Sequence, residues 1–185
     1  MPTDVIYDVN YHGDDPPEEK LSKQIYLHNQ HLTPFPEDDE IQFLLTNLKE
    51  GDHVLDIGAN IGLHAINFYN TVGENGSVIA FEPMKKNYDI LLSNIEKHKA
   101  QDVIVPVNVA LGESNKKIQF DINAINMGDC RSSEALKKDK LVDNKTFDQE
   151  TVLQMRLDEY NGVQWEKVRL IKMDTQGCEI DILKG

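Results

Sequence analysis

Asp56-Ile57-Gly58-Ala59-Asn60-Ile61-Gly62 ends the apolar run HVLDI (53–57) and opens the helical stretch Gly62 to Asn70. A strand that turns at a glycine into a helix brings backbone amides close to a ligand, and the helix N-terminus adds further N–H groups. Such a turn calls for a polar molecule against it. Glu82 closes the next apolar run, SVIAFE (77–82), 20 residues after Gly62. At that separation an acid beside the first strand can accept both hydroxyls of a ribose.

The ligand class follows from what the turn lacks. A dinucleotide fingerprint reads GxGxxG, and the corresponding positions here are Gly58, Asn60 and Leu63. Two of the three glycines that let a pyrophosphate approach are missing. Asp56 stands where a phosphate would be repelled and a sulfonium or ammonium welcomed. These residues point to a positively charged nucleoside and leave a NAD-dependent dehydrogenase as a distant third reading.

Outward from the turn, short apolar runs alternate with helical stretches. Met84, Tyr88, Leu91, Leu92 and Ile95 line one side of a helix, Val103 to Val107 is a third strand, and Val168 to Met173 (VRLIKM) is a further one. This alternation predicts an α/β chain, a three-layer sandwich around a mostly parallel sheet. Pro106 cannot donate to a ladder, which favours an edge position for the third strand. Residues 113–150 break the rhythm and predict a hairpin, from KKIQFD (116–121), and a loop over one end of the sheet. The pattern resumes with Val152 to Leu157. Upstream, acids at 36–40 start a helix whose Ile41, Leu44, Leu45 and Leu48 share one face.

The chain has 185 residues, a formal charge of −13 and two cysteines, Cys130 and Cys178, without metal-ligand spacing. Ten acids and two bases fall in residues 1–40, and five of the seven prolines fall in residues 1–36. Residues 1–35 therefore read as an acidic arm, with one short helix over Glu18 to Gln30, and residues 36–185 as the domain. Such charge excludes nucleic acid and an anionic membrane as main partners. There is no targeting segment or apolar span, so a cytoplasmic setting is expected.

Five segments carry a resemblance: DIGANIG (56–62), FEP (81–83), NVALGE (108–113), LDEY (157–160) and IKMDTQGCEIDILKG (171–185). In order and approximate spacing they resemble the FkbM family of S-adenosylmethionine-dependent methyltransferases, from about residue 36 onward. The resemblance implies a Rossmann-like class I methyltransferase fold that lacks its last strands. It implies S-adenosylmethionine as cofactor, with its methionine end over Asp56, Gly58, Asn60 and Gly62 and its ribose on Glu82. Asn108 would lie near the adenine or cap a local turn, and Pro83 and Met84 would pack on the ring. The implied reaction is methylation of a hydroxyl on a sugar or small metabolite. Asp174 is the candidate base or acceptor-orienting group, with Gln176 and Glu179 assisting; the alternative for Asp174 and Glu179 is capping of the helix near Gly177. His64 reads as a packing residue, Cys178 as a small buried one, and no metal ligand set is visible.

Without further strands, the strand 168–173 would present an apolar edge. Either the chain is a fragment, or a second chain, a homodimer mate or the N-terminal arm covers that edge; the alternative function is a truncated cofactor-binding remnant without turnover.

Overall fold

The computed structural model describes residues 36–122, 131–132, 148–175 and 177–185. The expected helix at Glu18–Gln30, the arm at 1–35, Cys130 and Gln176 lie outside them. The elements are α1 (Pro36–Thr46), β1 (His53–Ile57), α2 (Leu63–Val72), β2 (Ser77–Phe81), α3 (Lys85–Lys97), β3 (Ile104–Val107), β4 (Ala110–Leu111), β5 (Lys116–Ile122), β6 (Arg131–Ser132), β7 (Asp148–Met155), β8 (Val168–Met173) and α4 (Glu179–Ile182).

The central sheet has the order β3-β2-β1-β8 and all its pairings are parallel. The two apolar runs on either side of the glycine turn and its helix, β1 and β2, are neighbours with Ile57 opposite Phe81. Strand side chains alternate between faces, so β1 sends Val54 one way and Leu55 and Ile57 the other. Val54, Val78 and Ala80 pack with Leu63, Ile66, Phe68, Leu91 and Ile95 of α2 and α3, and with Ile41 and Leu48 at α1. Leu55, Ile57, Ile79 and Phe81 pack instead with Leu111 and Ile182. Each of the fully buried large side chains, Phe68 and Ile66 among them, contributes about 1.5–3 kcal/mol by leaving water. The α/β expectation with a mostly parallel sheet holds, and Pro106 sits in β3 at the edge of the described sheet.

Most of the described residues of the excursion form strands. Strands β5 and β7 pair antiparallel from Lys116–Gln154 to Ile122–Asp148, β6 adds to β5, and β4 pairs parallel with β7. This second sheet corrects one expectation: the run at Val152 to Leu157 is not a return to the central sheet but the end of the hairpin's second arm. Alternation of apolar residues marks a strand with one covered face and does not say which sheet covers it. Gln149 to Glu150 and Thr151 pair across to residues 119–121, so the polar start of β7 is held by its ladder rather than by a core.

Among the described residues β8 has β1 on one side and no strand on the other. Its residues Val168, Leu170 and Met173 are half-buried, and Ile171 is 40% exposed. Lys172, in the same apolar strand, is buried.

Candidate functional site

All seven candidate residues gather at the carboxyl ends of the parallel strands, where ligands of open α/β sheets bind. Asp56 lies at the end of β1, Gly58, Asn60 and Gly62 form the turn into α2, Glu82 follows β2, Asn108 follows β3, and Asp174 follows β8. The Asp174 N–H donates to Ile57 O at 3.0 Å, which binds the end of β8 to the start of the turn.

The turn earns its glycine for a reason the sequence did not show. Gly58 has φ +78, and a Cβ there would stand 2.1 Å from the backbone O of Asp174. Close approach of β8, rather than of a ligand, demands the missing side chain. Asn60 adopts φ 53, a left-handed conformation that asparagine tolerates better than other side chains. It thus does the conformational work of the glycine that the dinucleotide fingerprint would place there. Gly62, at φ +93, caps α2, and a Cβ on it would meet Leu91 Cδ1 at 2.6 Å.

Most of the turn's amides are already used. Gly58 and Ala59 both donate to Phe81 O, at 3.0 and 2.9 Å, and Gly62 donates to Ala59 O at 2.9 Å. Asn60 donates to Glu82 Oε2 at 2.8 Å. The expected cradle of amides facing a ligand is therefore not what the fold builds; these amides hold the turn to β2. Asn94, fully buried on α3, donates from Nδ2 to Ile61 O at 2.8 Å and fixes the same turn from the helix side.

Glu82 is 4% exposed. Its Oε1 accepts from the Met84 N–H at 2.8 Å, its Oε2 from Asn60, and the Asn87 side chain gives a third bond. Burial pushes its carboxyl up to about 7, with Asp56 adding repulsion, against the pull of those three donors. A carboxylate offers about four acceptor directions, so one remains; receiving both hydroxyls of a ribose requires Asn87 to give way. Asn108 uses its Nδ2 on the carbonyls of Glu82 and Pro83, at 2.8 and 3.0 Å. The turn-capping role is thus built, and a contact to adenine would fall to its Oδ1. Met84, expected to pack on the ring, is buried and packs with Ala110, Phe120 and Val152 in a small core of its own. Pro83 is half-buried.

Asp56 is fully buried, and its carboxylate is not the bare anion that the sequence suggested. Lys172 Nζ lies 3.3 Å from Asp56 Oδ1 and donates to Gly58 O at 3.1 Å. Neither Asp56 oxygen receives a hydrogen bond. Sequence reasoning passed over Lys172, although a charge inside an apolar strand is a signal, because a buried ammonium needs a partner.

Asp174 is exposed beside this assembly. The loop before α4 is held by Glu179, whose Oε1 accepts from the N–H groups of Thr175 and Gly177 and from Thr175 Oγ1; no side chain caps α4 itself. Burial alone would raise Glu179, but those donors outweigh it and hold its carboxyl below the usual range. His64 packs its ring near Phe68, and Cys178 is half-buried at the start of α4. Among the described residues no group of three His, Cys, Asp or Glu is placed to hold a metal ion, and no helix is long and apolar enough to cross a membrane.

Residues 56–185, which contain every site residue above, match the Methyltransferase FkbM domain family. The chain belongs to this family. Among its curated relatives, the hexuronic acid methyltransferase AglP of Haloferax volcanii is 29% identical over 149 residues, which cover 80% of this chain and 56% of that protein. Methyltransferase 1 of Beauveria bassiana is 22% identical over 183 residues, 90% of this chain and 66% of that protein. This FkbM chain thus spans about half to two thirds of the length of these relatives. The crystal structure of an FkbM methyltransferase from Methylobacillus flagellatus KT aligns with 91% of this chain and 40% of its own, at 13% identity and a TM-score of 0.49.

Proposed function

We propose that this FkbM chain is an S-adenosylmethionine-dependent methyltransferase acting on a hydroxyl of a sugar or small metabolite. One observation carries the reading: the buried Glu82 carboxylate stands against a turn most of whose amides are already engaged. A ligand there meets an acceptor for hydroxyl protons and no nest of amides for a phosphate. That combination suits a nucleoside without phosphates and disfavours NAD. Glu82 would hold the ribose, Asn108 Oδ1 would lie toward the adenine, and the Asp56–Gly62 turn would carry the methionine end. When bound, S-adenosylmethionine supplies a methyl group already activated as a sulfonium.

The remaining task for the protein is to position an acceptor oxygen and take up its proton. Asp174, exposed at the end of β8 and held by its own N–H to the turn, is the group we assign to it. The name of the AglP relative, a hexuronic acid methyltransferase, supports a sugar acceptor. The test is methyl transfer from labelled S-adenosylmethionine to a panel of hexuronic acids and neutral sugars, with Asp174→Asn beside wild type. Loss of a general base lowers kcat by about 10²–10⁴ with cofactor affinity unchanged; an unchanged kcat would remove Asp174 from the mechanism. A second reading, cofactor binding without turnover until a homodimer mate or second chain covers β8, is favoured by the exposure of Ile171 on the edge that no other strand pairs with among the described residues. Tight binding, no transfer and a monomeric mass in light scattering would support it.

Glu82 gives this reading a pH signature. Hydroxyl donors favour the charged carboxylate, so binding releases a proton, and affinity rises as pH approaches about 7 and levels above it. Calorimetry in buffers of different ionisation enthalpy checks this. The stability of the free protein runs the other way. Between pH 4.5 and about 7 the folded state holds the proton that the unfolded state has lost. This group's contribution therefore falls as pH rises through that window, by roughly 3 kcal/mol at most.

A further inference from the structure

We propose that Lys172 is a positioning residue for the cofactor turn, tying down the Gly58 carbonyl while it balances the buried charge of Asp56; this rests on the reading that the turn binds S-adenosylmethionine. Asp56 and Lys172 are direct partners in the parallel register of β1 and β8. Partners in register project to the same side of a sheet, and here that is the helix-covered side, since Val54 and Leu170 on either strand pack with α2 and α3.

The side chain reaches two atoms with different consequences. Its contact with Asp56 Oδ1, at 3.3 Å, offsets a carboxylate that receives no hydrogen bond and is fully buried. Its bond to Gly58 O, at 3.1 Å, fixes the peptide that joins Gly58 to Ala59. The N–H of that same peptide, on Ala59, donates to Phe81 O at 2.9 Å. One peptide is thus held at its oxygen by β8 and at its nitrogen by β2. One peptide onward, the Asn60 N–H meets Glu82, so the orientation of the 58–59 peptide sets where the ribose-binding carboxylate is gripped. Asn94 on Ile61 O completes the hold. No ligand contact by Lys172 is needed: it acts through the turn.

The two roles separate by mutation. Lys172→Met strands a buried carboxylate and lowers the melting temperature; adding Asp56→Asn removes the unmatched charge and restores most of it. The double variant still has no donor for Gly58 O. We expect its affinity for S-adenosylmethionine and S-adenosylhomocysteine to stay at least about tenfold below that of Asp56→Asn alone, the loss expected for one charged hydrogen bond. We also expect amides of segment 56–62 to exchange with deuterium faster than in wild type while those of β2 keep their protection. Lys172→Arg, which retains charge and donors, should recover part of both. If the double variant binds both molecules as Asp56→Asn alone does, or leaves exchange in 56–62 unchanged, Lys172 is a charge partner only and the proposal fails. Should wild type itself bind neither molecule, the cofactor reading falls, and the exchange measurement still decides whether Lys172 holds the turn. If Lys172→Met alone does not fold, the double variant carries the comparison.

Discussion

Gly58→Ala is expected to destabilise the protein strongly. The new Cβ would sit 2.1 Å from Asp174 O and 3.1 Å from Asp174 C, both backbone atoms, at a φ of +78. No side chain can swing away to make room. Either β8 separates from β1, losing the 3.0 Å bond from the Asp174 N–H to Ile57 O, or the turn leaves its left-handed conformation and drags Asn60 from Glu82. Backbone strain and forced overpacking together amount to about 3 kcal/mol or more. For a domain of this size that is a drop of roughly 6–12 °C in Tm. Gly51→Ala is the control: its φ is +86 and nothing lies within 4 Å of the place its new methyl would take, so only the backbone penalty of about 1–2 kcal/mol applies. Thermal unfolding of the two variants side by side checks the difference, and equal losses would show that β8 does not press on the turn.

Glu82→Ala is expected to weaken S-adenosylmethionine binding by about 100-fold. The carboxylate does two things at once. It offers an acceptor to the ribose, and it anchors the Asn60 and Met84 N–H groups at 2.8 Å each. A hydrogen bond to a charged group is worth about 1.5–3 kcal/mol, and a hundredfold loss corresponds to about 2.7 kcal/mol. Glu82→Gln is no rescue. Oε1 and Oε2 each face a backbone N–H, so an amide must turn its own NH₂ toward one of them, and two donors then oppose each other. Binding by Glu82→Gln within a factor of two of wild type would contradict this role.

The frame of this protein was legible because its strands are short apolar runs broken by glycine and its helices show apolar spacing. Strands β1, β2, β3 and β8 fall where those runs fall. The position of Glu82 relative to Gly62 was equally plain, since the spacing of a strand, a helix and a second strand is a local property. What the sequence hid is long-range. Lys172 reaches Gly58 across 114 positions of chain, and only the register of β1 with β8 brings it opposite Asp56. The reason for Gly58 was hidden in the same way, because the atom it makes room for belongs to Asp174. Asn60 has the look of a lost glycine, whereas its φ of 53 shows an asparagine in a glycine's conformation. Met84 reads as a ring-stacking residue and is instead drawn into a core with Phe120 and Val152, on strands whose sheet the alternation alone does not locate.

Paired calorimetric titrations of the purified chain with S-adenosylmethionine and with NAD test the central claim most directly. A buried ribose acceptor beside a turn with most of its amides engaged predicts one molecule of S-adenosylmethionine bound per chain, with no measurable heat from NAD. Saturable binding of NAD, or silence toward S-adenosylmethionine from a folded sample, would contradict it.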